Sequence, residues 1–168
     1  MSSRTQVCHI LGNGPSLAKY EFVKYRNVLT IGTNRLLFVD RFWQCTSPVF
    51  CFSEERLLKD KVFIDLVVQK SRNYKVFASD KIISGINKLG FDGKHIQSVD
   101  KILQSFNLLQ KFRKQFPVPG ELEKTVVIDV AIPVALMYQC ADIVFFGGEF
   151  SYGNKNQKVS KNQDYFLQ

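Results

Sequence analysis

CHILGNGPSLAKY, residues 8–20, is the stretch whose reading decides the fold. Four mostly apolar residues (8–11) run straight into Gly-Asn-Gly-Pro-Ser, and helix-compatible residues follow. Gly12 and Gly14 let a backbone turn sharply and approach a ligand with no Cβ in the way. Pro15 has no N–H to leave unpaired, which suits a first helical turn, and Ser16 can cap that turn or offer its hydroxyl. Free N–H groups at such a helix start favour phosphate. The spacing is neither G-x-G-x-x-G nor a glycine loop ending in Gly-Lys-Ser/Thr. The residues therefore indicate an anion site around Gly12, Asn13, Gly14, Pro15 and Ser16, with a plain strand-to-helix turn as the alternative.

Outward from this stretch the chain alternates. Strand patterns occupy 6–11, 27–32, 48–53, 74–79 and 141–150, with a short one over 94–99 after the turn GFDGK. The third opens on Pro48, acceptable at a strand start. Helical patterns occupy 16–25, 54–70 (Leu57, Leu58, Val62 and Leu66 at helical spacing), 100–116 with Asp100 as N-cap, and 127–140. Strands separated by helices imply parallel pairing through crossovers. The expected fold is α/β, a Rossmann-like open and mostly parallel sheet with helices on both faces. It forms a single domain over 1–152, and the polar stretch 153–168 is a loop or the start of a truncated segment.

Bulk properties narrow the function classes. The chain has 168 residues, 45% of them hydrophobic, including 15 Phe, so it supports a full core. No apolar run approaches the ~20 residues a membrane span needs, and the N-terminus lacks the apolar centre of a secretory signal. Cys8, Cys45, Cys51 and Cys140 show neither metal-ligand nor redox spacing, which fits thiols kept reduced in a cytoplasm. Twenty-three Lys and Arg against fifteen Asp and Glu give a net charge of +8. That suits an anionic partner. The Lys residues form no stripe interleaved with aromatics, which argues for a nucleotide-sized ligand over nucleic acid.

In an open parallel sheet, ligands sit beyond the carboxyl ends of the strands. Two more loops belong to that edge. TIGTNR (30–35) presents Thr33, Asn34 and Arg35. Asn34 can read a base or a ribose hydroxyl through its paired donor and acceptor. Arg35 can neutralise phosphate or pair with Asp40. FFGGEFSY (145–152) presents Gly147, Gly148, Glu149, Ser151 and Tyr152. Glu149 can bind ribose hydroxyls, hold a metal, act as a base, or be satisfied by nearby backbone N–H groups.

LGNGPSL, then TIGTNRLLFVDRF, then a proline-led strand, and finally TVVIDVAIPVALMYQCADIVFFGGEFSY form an ordered set. Over 7–43 and 125–152 the chain resembles the family of archaeal 6-hydroxymethylpterin diphosphokinases and flagellin-modifying glycosyltransferase-like proteins. It is also similar to bacterial CMP-sialic-acid-dependent sialyltransferases. The resemblance implies that Gly12, Asn13, Gly14 and Ser16 line nucleotide phosphate and ribose, and that Asn34 contacts the nucleotide. Glu149 stands where the family has Asp. Tyr152 lies one residue out of register with phosphate-contacting tyrosines. Ser53 and Glu54 stand where an Asp or Asn follows the third strand.

The sialyltransferases use a His after the last strand as general base, and this chain has none beyond His95. Gln163 takes no proton, so either Glu149 or Asp164 is the base, or the catalytic segment lies beyond residue 168, or the chain is no active glycosyltransferase, while His9 and His95 read as structural. The expected activity is a nucleotide-dependent transfer, of glycosyl from a CMP-type nucleotide-sugar, with no tightly bound cofactor and no metal site. One alternative is pyrophosphoryl transfer from ATP to a pterin-type alcohol, which requires Mg²⁺. Another is a non-catalytic nucleotide-binding or interaction module. The acceptor is unspecified, and Phe42, Trp43 and Phe50 fit either a core or an oligomer interface.

Overall fold

Strand residues alternate between two apolar layers, and this period of two builds the sheet. A computed structural model describes residues 6–106 and 126–147. The strands are β1 (Gln6–Leu11), β2 (Leu29–Thr33), β3 (Pro48–Cys51), β4 (Lys75–Ala78), β5 (Gln97–Ser98) and β6 (Cys140–Phe146). They lie in the order β5-β4-β3-β2-β1-β6, every pair parallel. Leu11, Gly32 and Phe50 stand level across β1, β2 and β3. The chain is thus an α/β protein with a Rossmann-like sheet.

One layer buries Leu11, Phe50, Phe52, Val76 and Ala78 against Phe42, Trp43, Phe63, Ile64, Val67 and Ile82. The other buries Cys8, Ile10, Ile31, Val49, Cys51 and Phe77 against Val99, Val130, Ala131 and Val134. Phe42, Trp43 and Phe50 are therefore core residues. Steps from β1 to β5 all move one way across the sheet. Right-handed crossovers put α1 (Asp40–Trp43), α2 (Lys61–Ser71) and α3 (Asp80–Lys88) on one face. The return to β6 places α4 (Val99–Phe106) and α5 (Ile132–Met137) on the other.

Several boundaries differ from the sequence expectation. The helix expected over 16–25 is only a 3-10 turn, Pro15–Lys19, which ends where Tyr20 turns extended (φ −76, ψ 119). Tyr20 leaves the helical path to bury its ring beside His9 and Phe146. The helix expected over 54–70 divides at Asp60. A 3-10 turn (Glu55–Lys59) precedes that residue, and its carboxylate then caps α2 by accepting from the Phe63 N–H at 3.0 Å.

Helix α3 was not expected. Ser79 caps its start, and Gly90 (φ +86) ends it, with the Gly90 and Phe91 N–H groups reaching back to Asn87 and Ile86 carbonyls. The N-cap of α4 is Ser98, whose Oγ accepts from the Lys101 N–H at 3.2 Å, rather than Asp100. Asp100 instead accepts from the Asp80 N–H at 2.7 Å, joining α4 to the start of α3. Pro133 brings no N–H to its helix, and the turn before it, Val127–Ala131, is π-helical. The helix expected over 100–116 is described to Phe106 and the strand over 141–150 to Phe146, while 153–168 lies outside the described residues. No described helix is long and apolar enough to cross a membrane.

Candidate functional site

Strand order reverses between β1 and β6, and there the glycine loop meets the last strand. The Gly12 N–H donates to the Phe146 carbonyl at 2.7 Å, and the Gly14 N–H to the Gly147 carbonyl at 2.8 Å. The Gly147 N–H in turn donates to Ser16 Oγ at 2.7 Å. A seam of three hydrogen bonds thus closes the loop onto the strand end. Gly147 is held at φ +66, and a Cβ on it would lie 2.8 Å from the Gly12 carbonyl oxygen.

The seam occupies groups that the sequence offered to a ligand or a cap. The N–H groups of Gly12 and Gly14 are bound to β6 and are not open to an anion. The N-cap of the turn is Gly14, and Ser16 Oγ accepts from the Gly147 N–H. Gly14 itself has extended backbone (φ −80, ψ 167), and the only described glycines with positive φ are Gly90 and Gly147. The sharp conformation that GNG suggests falls instead on Gly147, across the seam.

Next to the seam, the carboxyl ends of β1, β2 and β3 carry Asn13, Asn34 and Ser53. Among the described residues, three buried side-chain polar atoms lack a hydrogen-bond partner: Asn13 Oδ1, Asn34 Oδ1 and Ser53 Oγ. Buried polar atoms are almost always paired, so three orphans on one edge mark it as the candidate site. Three adjacent strands span two strand spacings, about 10 Å, a width that fits a nucleoside or a sugar.

Asn34 is the most constrained of the three. It is buried, and its backbone takes the left-handed conformation at φ +48, which Asn tolerates better than most residues. Its Nδ2 donates to Glu54 Oε1 at 2.6 Å. Glu54 also accepts from Arg56 Nε. An ionised carboxylate only accepts, so Nδ2 faces Glu54 and Oδ1 faces away. Thr33, the last residue of β2, is fully buried, and its hydroxyl donates to the Leu11 carbonyl at 3.0 Å, tying β2 to β1. Arg35 is exposed beside Asn34.

Beneath the seam lies an aromatic nest. His9 Nδ1 is 3.0 Å from the Tyr20 hydroxyl, and the His9 ring packs against Tyr25 and Phe146 at 4.8 and 5.3 Å between centroids. Burial lowers the His9 pKa below its ordinary 6.5 and pushes Tyr20 up to about 12, so both stay neutral at pH 7. His95 is exposed in the turn before β5, at the opposite end of the sheet. All four cysteines are buried free thiols, and burial raises the pKa of each. Among the described residues no group of three or more His, Cys, Asp or Glu is placed to hold a metal ion.

The fold therefore brings Gly12, Asn13, Gly14, Pro15, Ser16, Asn34, Ser53 and Gly147 to one edge, with Thr33 turned into the sheet. Gly148, Glu149, Ser151, Tyr152 and Asp164 lie outside the described residues. Glu54 joins the site as the partner of Asn34. Its signal in the sequence was an acidic residue directly after the third strand. Comparisons with family models, curated proteins and solved structures return no match for this chain.

Proposed function

We propose that this chain is a nucleotide-dependent transferase, glycosyltransferase-like, taking a CMP-type nucleotide-sugar as donor and acting in the cytoplasm. The observation that carries the proposal is the row of three unpartnered buried polar atoms at the carboxyl edge of a parallel sheet. Such edges are where open α/β sheets bind nucleotides. In the proposed reaction an acceptor hydroxyl attacks the anomeric carbon of the donor sugar. The bond from that carbon to the phosphate oxygen breaks, the nucleotide leaves with the electron pair, and Glu149 or Asp164 takes the acceptor's proton. Arg35 and the net charge of +8 favour the phosphate-bearing ligand electrostatically.

A second reading, a nucleotide-binding module without chemistry, is favoured by the seam, which withdraws the Gly12 and Gly14 N–H groups from a leaving phosphate. Titration calorimetry with CMP, UDP, GDP and ATP, each with and without Mg²⁺, tests both. Metal-independent preference for CMP supports the transferase. Strict Mg²⁺ dependence with ATP would move the assignment to pyrophosphoryl transfer, and no binding by any nucleotide refutes both readings. Turnover of a CMP-sugar separates enzyme from module. Gly14→Val provides the control, because the extended backbone there accepts a β-branched residue. The variant is expected to lose nucleotide binding, and its urea midpoint beside the parent's shows whether the seam stays closed. If it binds normally, the loop is only a turn.

A further inference from the structure

We propose that Glu54 is a specificity-setting positioning residue. It locks the Asn34 amide so that this edge of the site presents hydrogen-bond acceptors, and so selects the hydroxyl-bearing part of a ligand rather than its phosphate. The inference rests on the nucleotide reading above and deepens it.

Three observations combine. The Nδ2 of Asn34 is held by Glu54 at 2.6 Å, and Glu54 is itself held by Arg56, so the amide is fixed from behind. Asn34 is 7% exposed and its Oδ1 has no partner. On the neighbouring strand Asn13 Oδ1 is likewise unpartnered. Two lone acceptors and a carboxylate repel phosphate oxygens and accept from hydroxyl or amino groups. The Ser53 hydroxyl works in either sense. The backbone donors that would have favoured phosphate, the Gly12 and Gly14 N–H groups, already serve β6. A pentose with adjacent hydroxyls matches this pattern in polarity and width.

The sense of the amide depends on the charge at position 54. In Glu54→Gln the new side chain can accept from Asn34 Nδ2 or donate to Asn34 Oδ1, so the amide is no longer held in one sense and Nδ2 can turn toward the ligand. A fixed acceptor then becomes either an acceptor or a donor with almost no change in shape. Glu55→Gln is the matched control: the same charge is lost one residue away, where Glu55 pairs with Lys81 at 2.5 Å.

The test is titration calorimetry of the full chain, the two variants and Asn34→Ala with CMP and with its 2′-deoxy and 3′-deoxy forms. The parent is expected to bind CMP about tenfold more tightly than at least one deoxy form, the scale of one buried hydrogen bond. Glu54→Gln and Asn34→Ala lose that discrimination, whereas Glu55→Gln keeps it. The side-chain amide NMR signals of Asn34 move in Glu54→Gln and stay in Glu55→Gln, which reports the lock without any ligand. A parent that binds none of the probes overturns the nucleotide reading and this inference together. A parent that binds CMP and both deoxy forms equally overturns this inference alone. So does a Glu54→Gln variant that retains discrimination, or one whose Asn34 signals do not move.

Discussion

Gly147→Ala is expected to strike the seam between the glycine loop and β6, and its effect can be worked out in two parts. The first is conformational: Gly147 sits at φ +66, where an alanine costs roughly 1–2 kcal/mol. The second is steric. The added Cβ would stand 2.8 Å from the Gly12 oxygen, 2.9 Å from the Gly12 carbonyl carbon and 3.0 Å from the Gly14 nitrogen. All three contacts are backbone, so no side chain can swing aside. The loop must move away and strain the three seam hydrogen bonds, each contributing about 1 kcal/mol. Losing two of them brings the sum to about 3 kcal/mol.

Gly90→Ala isolates the first part. Gly90 has φ +86, but a Cβ there meets nothing within 4 Å. Its expected loss is about 1 kcal/mol. Urea unfolding followed by Trp43 fluorescence reads both variants, since Trp43 is the sole tryptophan and is buried in the core. With a slope of about 2 kcal/mol/M, the midpoint falls by about 1.5 M for Gly147→Ala and about 0.5 M for Gly90→Ala. Equal shifts in the two variants would refute the close-contact argument.

His9 gives a pH dependence of definite sign. Burial depresses its folded pKa, so below the ordinary value of 6.5 the unfolded chain binds more protons, and stability falls as pH drops from about 7.5 to 5. His9→Gln should flatten that part of the urea-midpoint profile, and a profile parallel to the parent's would remove His9 as its source. Asp60→Ala removes the cap on the Phe63 N–H and is expected to destabilise by about 1 kcal/mol, lowering the melting temperature by about 2–4 °C. Since Asp60 caps a helix outside the proposed site, nucleotide titration of that variant should match the parent, and a changed affinity would place α2 closer to the site chemistry than its position implies.

The sheet was legible because its inner strands, β2 and β3 above all, are buried on both faces and read as apolar runs broken by turn residues. The helices were less so. The 16–25 stretch has helical composition, but Tyr20 is drawn into the nest with His9 and Phe146, and tertiary packing overrides local preference. Helix α3 was hidden by Gly85, a poor helix former. A Cβ there would lie 2.5 Å from Leu58 Cδ1, so the glycine makes room for the 3-10 turn packed beside it. At the site, the edge loops were legible from their glycines and polar residues. The Asn34–Glu54 contact joins positions 20 apart in sequence, and the pairing of the loop's N–H groups with β6 depends on which strand lies next to β1. Neither relation has a local pattern to betray it.

The adjacency of β1 and β6 has a consequence for how the molecule comes into being. Ser16 and Gly147 are 131 positions apart, yet their hydrogen bond helps close the seam. On a ribosome, β1 emerges before the other described strands and waits with its β6-side edge unpaired until β6 has been made. The neighbours on its other side, β2 to β4, can assemble in order as they appear. Among the described strands the docking of β6 comes last, with the loop-closure entropy of a very large loop. Any nascent or truncated chain that stops before Gly147 has β2, β3 and their polar loops but no finished edge beside them. The strand that covers the free edge of β1 also pins the glycine loop, so a chain released too early is left with neither.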